Sequence, residues 1–211
     1  MKKPRILLAD DHKIVLEGLR GILDPEFEIV GAVEDGRALV AEAQRLKPDV
    51  VVADISMPGL NGMDAARLIK KMDPHIKIVF LTMHSEASYA ASGFDAGASG
   101  FVLKHSAPQE LITAIREAMR GHTYVTPMIA GELISSFKSS IPCPAGSFAV
   151  LSPRQREVLQ LLAEGKATKE IGALLDISTR TVEFHKYRMM EQLRIKTSAE
   201  LVQFAVKNGI V

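Results

Sequence analysis

Ile6-Leu7-Leu8-Ala9-Asp10-Asp11 is a short apolar run that ends on two carboxylates, and Val50-Val51-Val52-Ala53-Asp54 repeats the arrangement further along the chain. Neither run alternates apolar with polar residues, so both read as strands buried on two faces, the kind found in a parallel sheet covered by helices. Glu28–Val33, residues 78–81 and Gly100–Leu103 read the same way. Between them, residues 12–23, 36–47, 62–72, 85–96 and 108–120 carry apolar side chains at helical period, with Pro48 and Pro74 following helices and Ala107-Pro108 opening one. Strands alternating with helices five times predict an α/β domain, a doubly wound five-stranded parallel sheet over residues 1–122.

Beyond it the pattern changes. Residues 123–147 read as a linker with one short helix, which Thr126-Pro127 opens and Phe137 closes, before Ser139-Ser140-Ile141-Pro142-Cys143-Pro144-Ala145-Gly146-Ser147 loses all periodicity. Residues 148–211 are purely helical: a helix from Ser152-Pro153 to Gly165, then 167–175, 178–193 and 198–207, with Gly209 after the last. Four short helices, the second and third joined by a few residues, outline an all-α helix-turn-helix domain. Leu201, Val202 and Phe204 either form part of a dimer contact on the last helix or seal the four-helix core.

A chain of 211 residues suits two such domains, and 47% apolar with 24% charged residues excludes wholesale disorder. Net charge is +1, yet residues 1–125 hold 15 Lys/Arg against 17 Asp/Glu while residues 151–211 hold 10 against 7. An acidic front and a basic back suggest two tasks. The single cysteine, Cys143, excludes an intramolecular disulfide and a cysteine-rich zinc site. No apolar run approaches the roughly 18 residues a bilayer requires, and the four apolar residues after Met1-Lys2-Lys3-Pro4-Arg5 fall short of a secretory core. The expectation is a cytoplasmic protein with no membrane partner. His12, His75, His84, His105 and His122 are dispersed without ligand spacing, and the methionines read as core filler.

Asp10 and Asp11 end the first strand and Asp54 the third, so all three should open onto the crevice at the carboxyl edge of the sheet. Three converging anions call for a hard divalent cation, Mg²⁺ or Mn²⁺. Thr82 ends the fourth strand and Lys104 follows the fifth, which adds a hydroxyl and an ammonium to the rim. That set suits phosphoryl transfer onto a carboxylate.

Asp10-Asp11, Asp54-Ile55-Ser56-Met57-Pro58-Gly59, Leu81-Thr82 and Gly100-Phe101-Val102-Leu103-Lys104 resemble, in order and spacing, the signature of a two-component receiver domain over residues 4–121. The resemblance implies that Asp54 is the phosphoacceptor and that Asp10, Asp11, Asp54 and the backbone carbonyl of Ser56 form the metal site. It implies that Thr82 hydrogen-bonds the phosphoryl group, that Lys104 pairs with it, and that Phe101 is the aromatic that changes rotamer. Two positions depart from the pattern. His105 stands where many receivers have proline, so the turn there forms without one, and Met83 is bulkier than the usual small residue and would restrict access to the acyl phosphate.

In the third helix of the C-terminal domain, Ser178-Thr179-Arg180-Thr181-Val182-Glu183-Phe184-His185-Lys186-Tyr187-Arg188, Val182 and Met189 share one face and pack inward. Arg180, Lys186 and Arg188, with Lys169 from the helix before, can supply cations to phosphates. Glu183 can accept from a cytosine amino group, and His185 and Tyr187 can bond phosphate or base edges. Leu151-Ser152-Pro153-Arg154-Gln155-Arg156-Glu157-Val158-Leu159, Lys169-Glu170-Ile171 and Thr181-Val182-Glu183-Phe184-His185 resemble the LuxR-type helix-turn-helix, and the whole layout resembles the NarL/FixJ class of response regulators. This implies base contacts from Glu183, Phe184 and Tyr187 and backbone contacts from Lys169, Thr181, His185 and Arg188. Gly172 replaces a common alanine and weakens the second helix.

The expected function is a phosphorylation-controlled DNA-binding transcriptional regulator, not an enzyme. Its partners are a histidine kinase, double-stranded DNA with paired half-sites and, once phosphorylated, a second copy of the chain. One alternative is a regulator that ignores phosphate. Another is an Asp-nucleophile phosphohydrolase, against which stands Ser56, where a second acid–base carboxylate would be needed.

Overall fold

A computed structural model describes residues 3–83, 87–106, 108–138, 151–208 and 210, in two compact units, Met1–Ile141 and Pro142–Val211. The first is built as β1 (Arg5–Ala9), α1 (Lys13–Leu23), β2 (Glu28–Val33), α2 (Gly36–Leu46), β3 (Val50–Ala53), α3 (Gly62–Met72), β4 (Lys77–Thr82), α4 (Ala87–Asp95), β5 (Gly100–Leu103), α5 (Pro108–Met119), β6 (Tyr124–Val125) and α6 (Pro127–Lys138). All strands pair in parallel in the order β2-β1-β3-β4-β5-β6. The unalternating runs have the expected cause, since residues 50–53 are all buried on both faces of the sheet. Leu16, Leu19, Leu23, Leu111 and Ile115 from α1 and α5 pack on one face. Leu39, Ile69, Ala90 and Ile129 from α2, α3, α4 and α6 pack on the other.

The sheet has six strands rather than five. β6 pairs Tyr124 with Gly100 and Val125 with Phe101, and Thr126 N donates to Phe101 O at 3.0 Å. Two half-buried residues leave no periodicity to read, which is why the sequence shows only five strands. The helix expected within residues 123–147 is α6, and its Ile129 is fully buried in the same core cluster as Phe101. Ser139 to Ser147 with Cys143, as well as His84, Ala107 and Gly209, lie outside the described residues.

Four helices make the second unit: α7 (Pro153–Ala163), α8 (Thr168–Leu175), α9 (Thr179–Leu193) and α10 (Ser198–Lys207). Ser152 caps α7 in a reciprocal capping box with Gln155, and Pro153 occupies the first turn. Val158, Leu159, Ile171, Val182, Met189, Leu201 and Ala205 form the core. Leu201 therefore seals this core, and Phe204 packs half-buried against it. The α8–α9 turn starts at Asp176, left-handed at φ 52°, which aspartate tolerates, and Ser178 caps α9 by accepting from Thr181 N at 3.1 Å. A Cβ on Gly172 would stand 2.8 Å from Ile177 O. Glycine there lets the turn close onto α8, a gain that accompanies its poor helix propensity.

Candidate functional site: the acidic crevice and the exposed ridge of α9

The order β2-β1-β3 places a topological switch point between β1 and β3, where the chain leaves the sheet in opposite directions and a crevice opens. Asp10 and Asp54 end those two strands in matching register, Ala9 beside Ala53, and Asp54 N donates to Ala9 O at 2.8 Å. Both carboxylates are nearly buried, at 1% and 6% exposure. Gly62 holds the following loop close, because its N–H donates to Ile55 O at 2.8 Å and a Cβ there would lie 2.0 Å from Asp54 O.

Lys104 comes from the end of β5, and its Nζ lies 2.7 Å from Asp54 Oδ2 and 2.7 Å from Asp10 Oδ2. The contact with Asp54 is a hydrogen bond. The contact with Asp10 is an ion pair at the same distance. Asp54 Oδ1 accepts from Ile55 N at 2.7 Å. Burial pushes the Asp54 carboxyl above its ordinary value; the hydrogen bond and charge of Lys104 pull it down, Asp10 adds to the rise, and the net is upward. For Lys104, burial pulls the ammonium down, and the pairing with Asp10 and Asp54 outweighs it and raises the net value. Desolvation wins at the carboxylate and pairing wins at the ammonium.

Asp11 stands at the rim with its side chain 34% exposed, and His12 Nδ1 is 2.7 Å from its Oδ1. Ligand atoms of Asp10, Asp11 and His12 fall within 4.8 Å of one another. A divalent cation fits this place: ligand oxygens of Asp10 and Asp11 converge at the rim, and carboxylate oxygens are the hard ligands that Mg²⁺ prefers. Asp10 and Asp11 are the residues that could hold it. The partnership of His12 with Asp11 is absent from the sequence reading, which gives adjacency but not side-chain direction.

Thr82 is fully buried at the end of β4, and its carbonyl accepts from Lys104 N at 2.8 Å. Ser56 lies half-buried two residues past Asp54. Phe101 is fully buried on β5, edge-on to Phe80 with ring centroids 6.2 Å apart. The turn after Lys104 closes through Ser106 N to Leu103 O at 2.9 Å, and no peptide bond among the described residues is cis, so His105 is accommodated without a proline-type turn. Met83 is turned to solvent, 66% exposed. Thr126, read from sequence as a helix opener, is buried and also accepts from Leu103 N at 3.3 Å and donates to Glu110 at 3.1 Å, bracing the turn that carries Lys104.

In the second unit, α9 carries eight of the nine candidate DNA-contact residues, and Lys169 sits exposed on α8. Opposite the buried Val182 and Met189, the exposed ridge of α9 consists of Arg180, Phe184, Tyr187, Arg188 and Glu191. Thr181, Glu183, His185 and Lys186 are half-buried beside it. Lys186 Nζ donates to Glu183 at 3.3 Å, and Arg188 donates to Glu191 at 3.2 Å. Burial, and after it the charge of Arg154, hold the His185 imidazole below its ordinary pKa, so at neutral pH it offers a hydrogen bond and no charge.

The two units match two families. Residues 6–116 match the response regulator receiver domain, and residues 149–205 match the luxR family of bacterial regulatory proteins. The chain belongs to the two-component response regulators, in the class that joins a receiver to a LuxR-type helix-turn-helix. It is similar to the oxygen regulatory protein NreC of Staphylococcus carnosus, 36% identical over 98% of this chain and 99% of that one. It is also similar to the response regulator UvrY of Escherichia coli, 35% identical over 97% of this chain and 94% of that one. Among solved structures, RcsB of Salmonella enterica serovar Typhimurium, bound to a promoter in the presence of a beryllofluoride phosphomimetic, superimposes with a TM-score of 0.66 at 28% identity, covering 98% of this chain and 100% of that one.

Proposed function

We propose that Asp54 is the phosphoacceptor of this regulator and that its phosphorylation controls binding to promoter DNA. The carrying observation is the convergence of Asp54, Asp10 and Lys104 at 2.7 Å contacts in the crevice of a chain that ends in a helix-turn-helix. One oxygen of Asp54 is held by the backbone N–H of Ile55 and the other by the Lys104 ammonium, which can follow the incoming phosphoryl group, so the second is the nucleophile. It attacks phosphorus in the phosphohistidine of a kinase, the P–N bond breaks, and the imidazole leaves with the electron pair. Lys104 transfers its hydrogen bond from Asp54 Oδ2 to a phosphoryl oxygen, and the Thr82 hydroxyl binds another. Mg²⁺ or Mn²⁺ held by Asp10, Asp11, Asp54 and the Ser56 carbonyl supplies positive charge to the phosphoryl oxygens when bound. The product is a mixed anhydride that acts as a signal, and no turnover of small phosphoesters is expected.

Thr82 and Phe101 carry the signal from the crevice by shifting between two packings. Lys169, Arg180, Thr181, His185, Lys186 and Arg188 bind backbone phosphates, and Glu183, Phe184 and Tyr187 face bases. The work is done in the cytoplasm, and the promoter-bound state of the similar RcsB chain supports the DNA-binding part of this reading. The test is labelling of the full chain with acetyl phosphate and Mg²⁺, followed by binding to promoter DNA. Stoichiometric label on Asp54→Asn, or equal DNA affinity with and without label on the native chain, defeats the proposal.

A further inference from the structure

The ridge of α9 is chemically unusual for a surface meant only to grip phosphate. Its centre is two large aromatic side chains, Phe184 at 61% and Tyr187 at 63% exposure, neighbours at helical spacing i and i+3. Leaving so much ring surface in water is unfavourable unless a partner covers it. The polar groups around them are largely engaged with one another: Glu183 with Lys186 and Arg188 with Glu191. Between positions 181 and 187 there is no arginine, asparagine or glutamine to pair with a purine, and the one lysine, Lys186, is engaged by Glu183. Each ring also has one neighbour along the helix. Phe184 stands edge-on to His185 with centroids 5.8 Å apart, and Lys186 Nζ lies 5.6 Å from the Tyr187 centroid. Aromatic side chains have only two χ angles, so they bring contact area at little entropic cost.

The charge around the rings selects the occupant. Lys169, Arg180 and Arg188 are exposed on α8 and on α9 itself, which suits a polyanion, and a duplex major groove is wide enough for a helix and presents one apolar feature on its floor, the thymine 5-methyl group. We infer that Phe184 and Tyr187 read DNA through thymine methyl groups, so that sequence preference in each half-site is set chiefly by apolar contact at A·T pairs. This rests on the DNA-binding reading above and gives it a chemical basis for specificity.

The test replaces thymine by deoxyuridine, which removes the methyl and leaves every hydrogen-bonding edge unchanged. A half-site selected from random DNA with the full-length chain is resynthesised with single deoxyuridine substitutions, and affinities are measured for the native chain, Phe184→Ala and Tyr187→Ala. Loss of one buried methyl should weaken native binding by about fourfold at one or two positions. Each variant should lose the sensitivity at its own position and keep it at the other. Both side chains are exposed, so the folds should persist, which circular dichroism verifies. Failure to select any sequence, or to bind DNA at all, defeats the DNA-binding reading itself. Specific binding that no deoxyuridine substitution alters defeats the methyl readout alone. Sensitivity that survives unchanged in both variants assigns it to other residues and overturns the inference.

Discussion

Asp54 is a carboxylate kept in a place that disfavours its charge. Burial raises its pKa, so the ionised form costs folding free energy above that raised value, and the cost vanishes as pH falls below the unfolded value near 3.8. Asp54→Asn should therefore stabilise the receiver at pH 7, seen as a higher Tm, with the gain shrinking toward pH 4. Thermal unfolding in chelator across that range checks it, and a variant less stable than the native chain at pH 7 would contradict it. The same substitution should abolish labelling by acetyl phosphate, because an amide cannot form the mixed anhydride. Asp11→Ala should weaken Mg²⁺ binding by about tenfold or more and slow labelling correspondingly, as read by calorimetric titration; unchanged affinity would make the cluster structural. The strand-end positions of these residues were legible from sequence because an apolar strand must stop where carboxylates begin. Strand ends do not give side-chain direction, so the bridging of Asp10 and Asp54 by Lys104, the contact of His12 with Asp11, and the pairing of Glu183 with Lys186 emerge only from the structure.

Among the elements, those with long or doubly buried apolar patterns could be read in advance. In β3 every residue from Val50 to Ala53 is buried and apolar, so the strand leaves its trace at each position, and Ser152-Pro153 marks the start of α7 through cap and ring together. β6 could not be read, since its two residues owe their conformation to hydrogen bonds from another strand. The place of α6 could not be read either: one apolar face was visible, but what it covers depends on tertiary packing. Ile129 supplies that packing. Ile129→Ala should destabilise the first unit by about 2–4 kcal/mol, seen as a lower urea midpoint, while the unfolding of the second unit stays unchanged. A loss below about 0.5 kcal/mol would mean that α6 only rests on the surface. His185 makes the stability of the second unit depend on pH. The lowered pKa of His185 contributes stability that is present above the unfolded value near 6.5 and is lost as pH falls through the folded one. Acidification should therefore lower the Tm of the second unit, and His185→Gln should flatten that dependence.

For the molecule as a whole, the second unit carries a balance of only +3, from 10 Lys/Arg and 7 Asp/Glu over residues 151–211, so a single copy should bind weakly and with a shallow salt slope. Two copies on adjacent half-sites gain through effective concentration without any new base contact. Phosphorylation at Asp54 should accordingly raise affinity for a paired site by about 10²-fold and leave the single half-site nearly unchanged. Titrations at several salt concentrations decide this, and equal gains on both DNAs would place the switch within one module. The division into two units with different tasks was legible from the charge asymmetry and the change of period, whereas the extent of the first unit was not, because β6 and α6 belong to it through contacts made far away in sequence. That extent has a practical meaning for hybrid regulators. A chimera that borrows this input half and cuts after the fifth helix would leave behind the strand beside Phe101 and the isoleucine that shares its core. The donor would then keep the crevice of Asp10, Asp54 and Lys104 but lose the strand paired with Phe101 and one fully buried residue of its core. A graft that carries the chain through Lys138 keeps the sensor's last brace, and only such a graft should transmit its state to a foreign output.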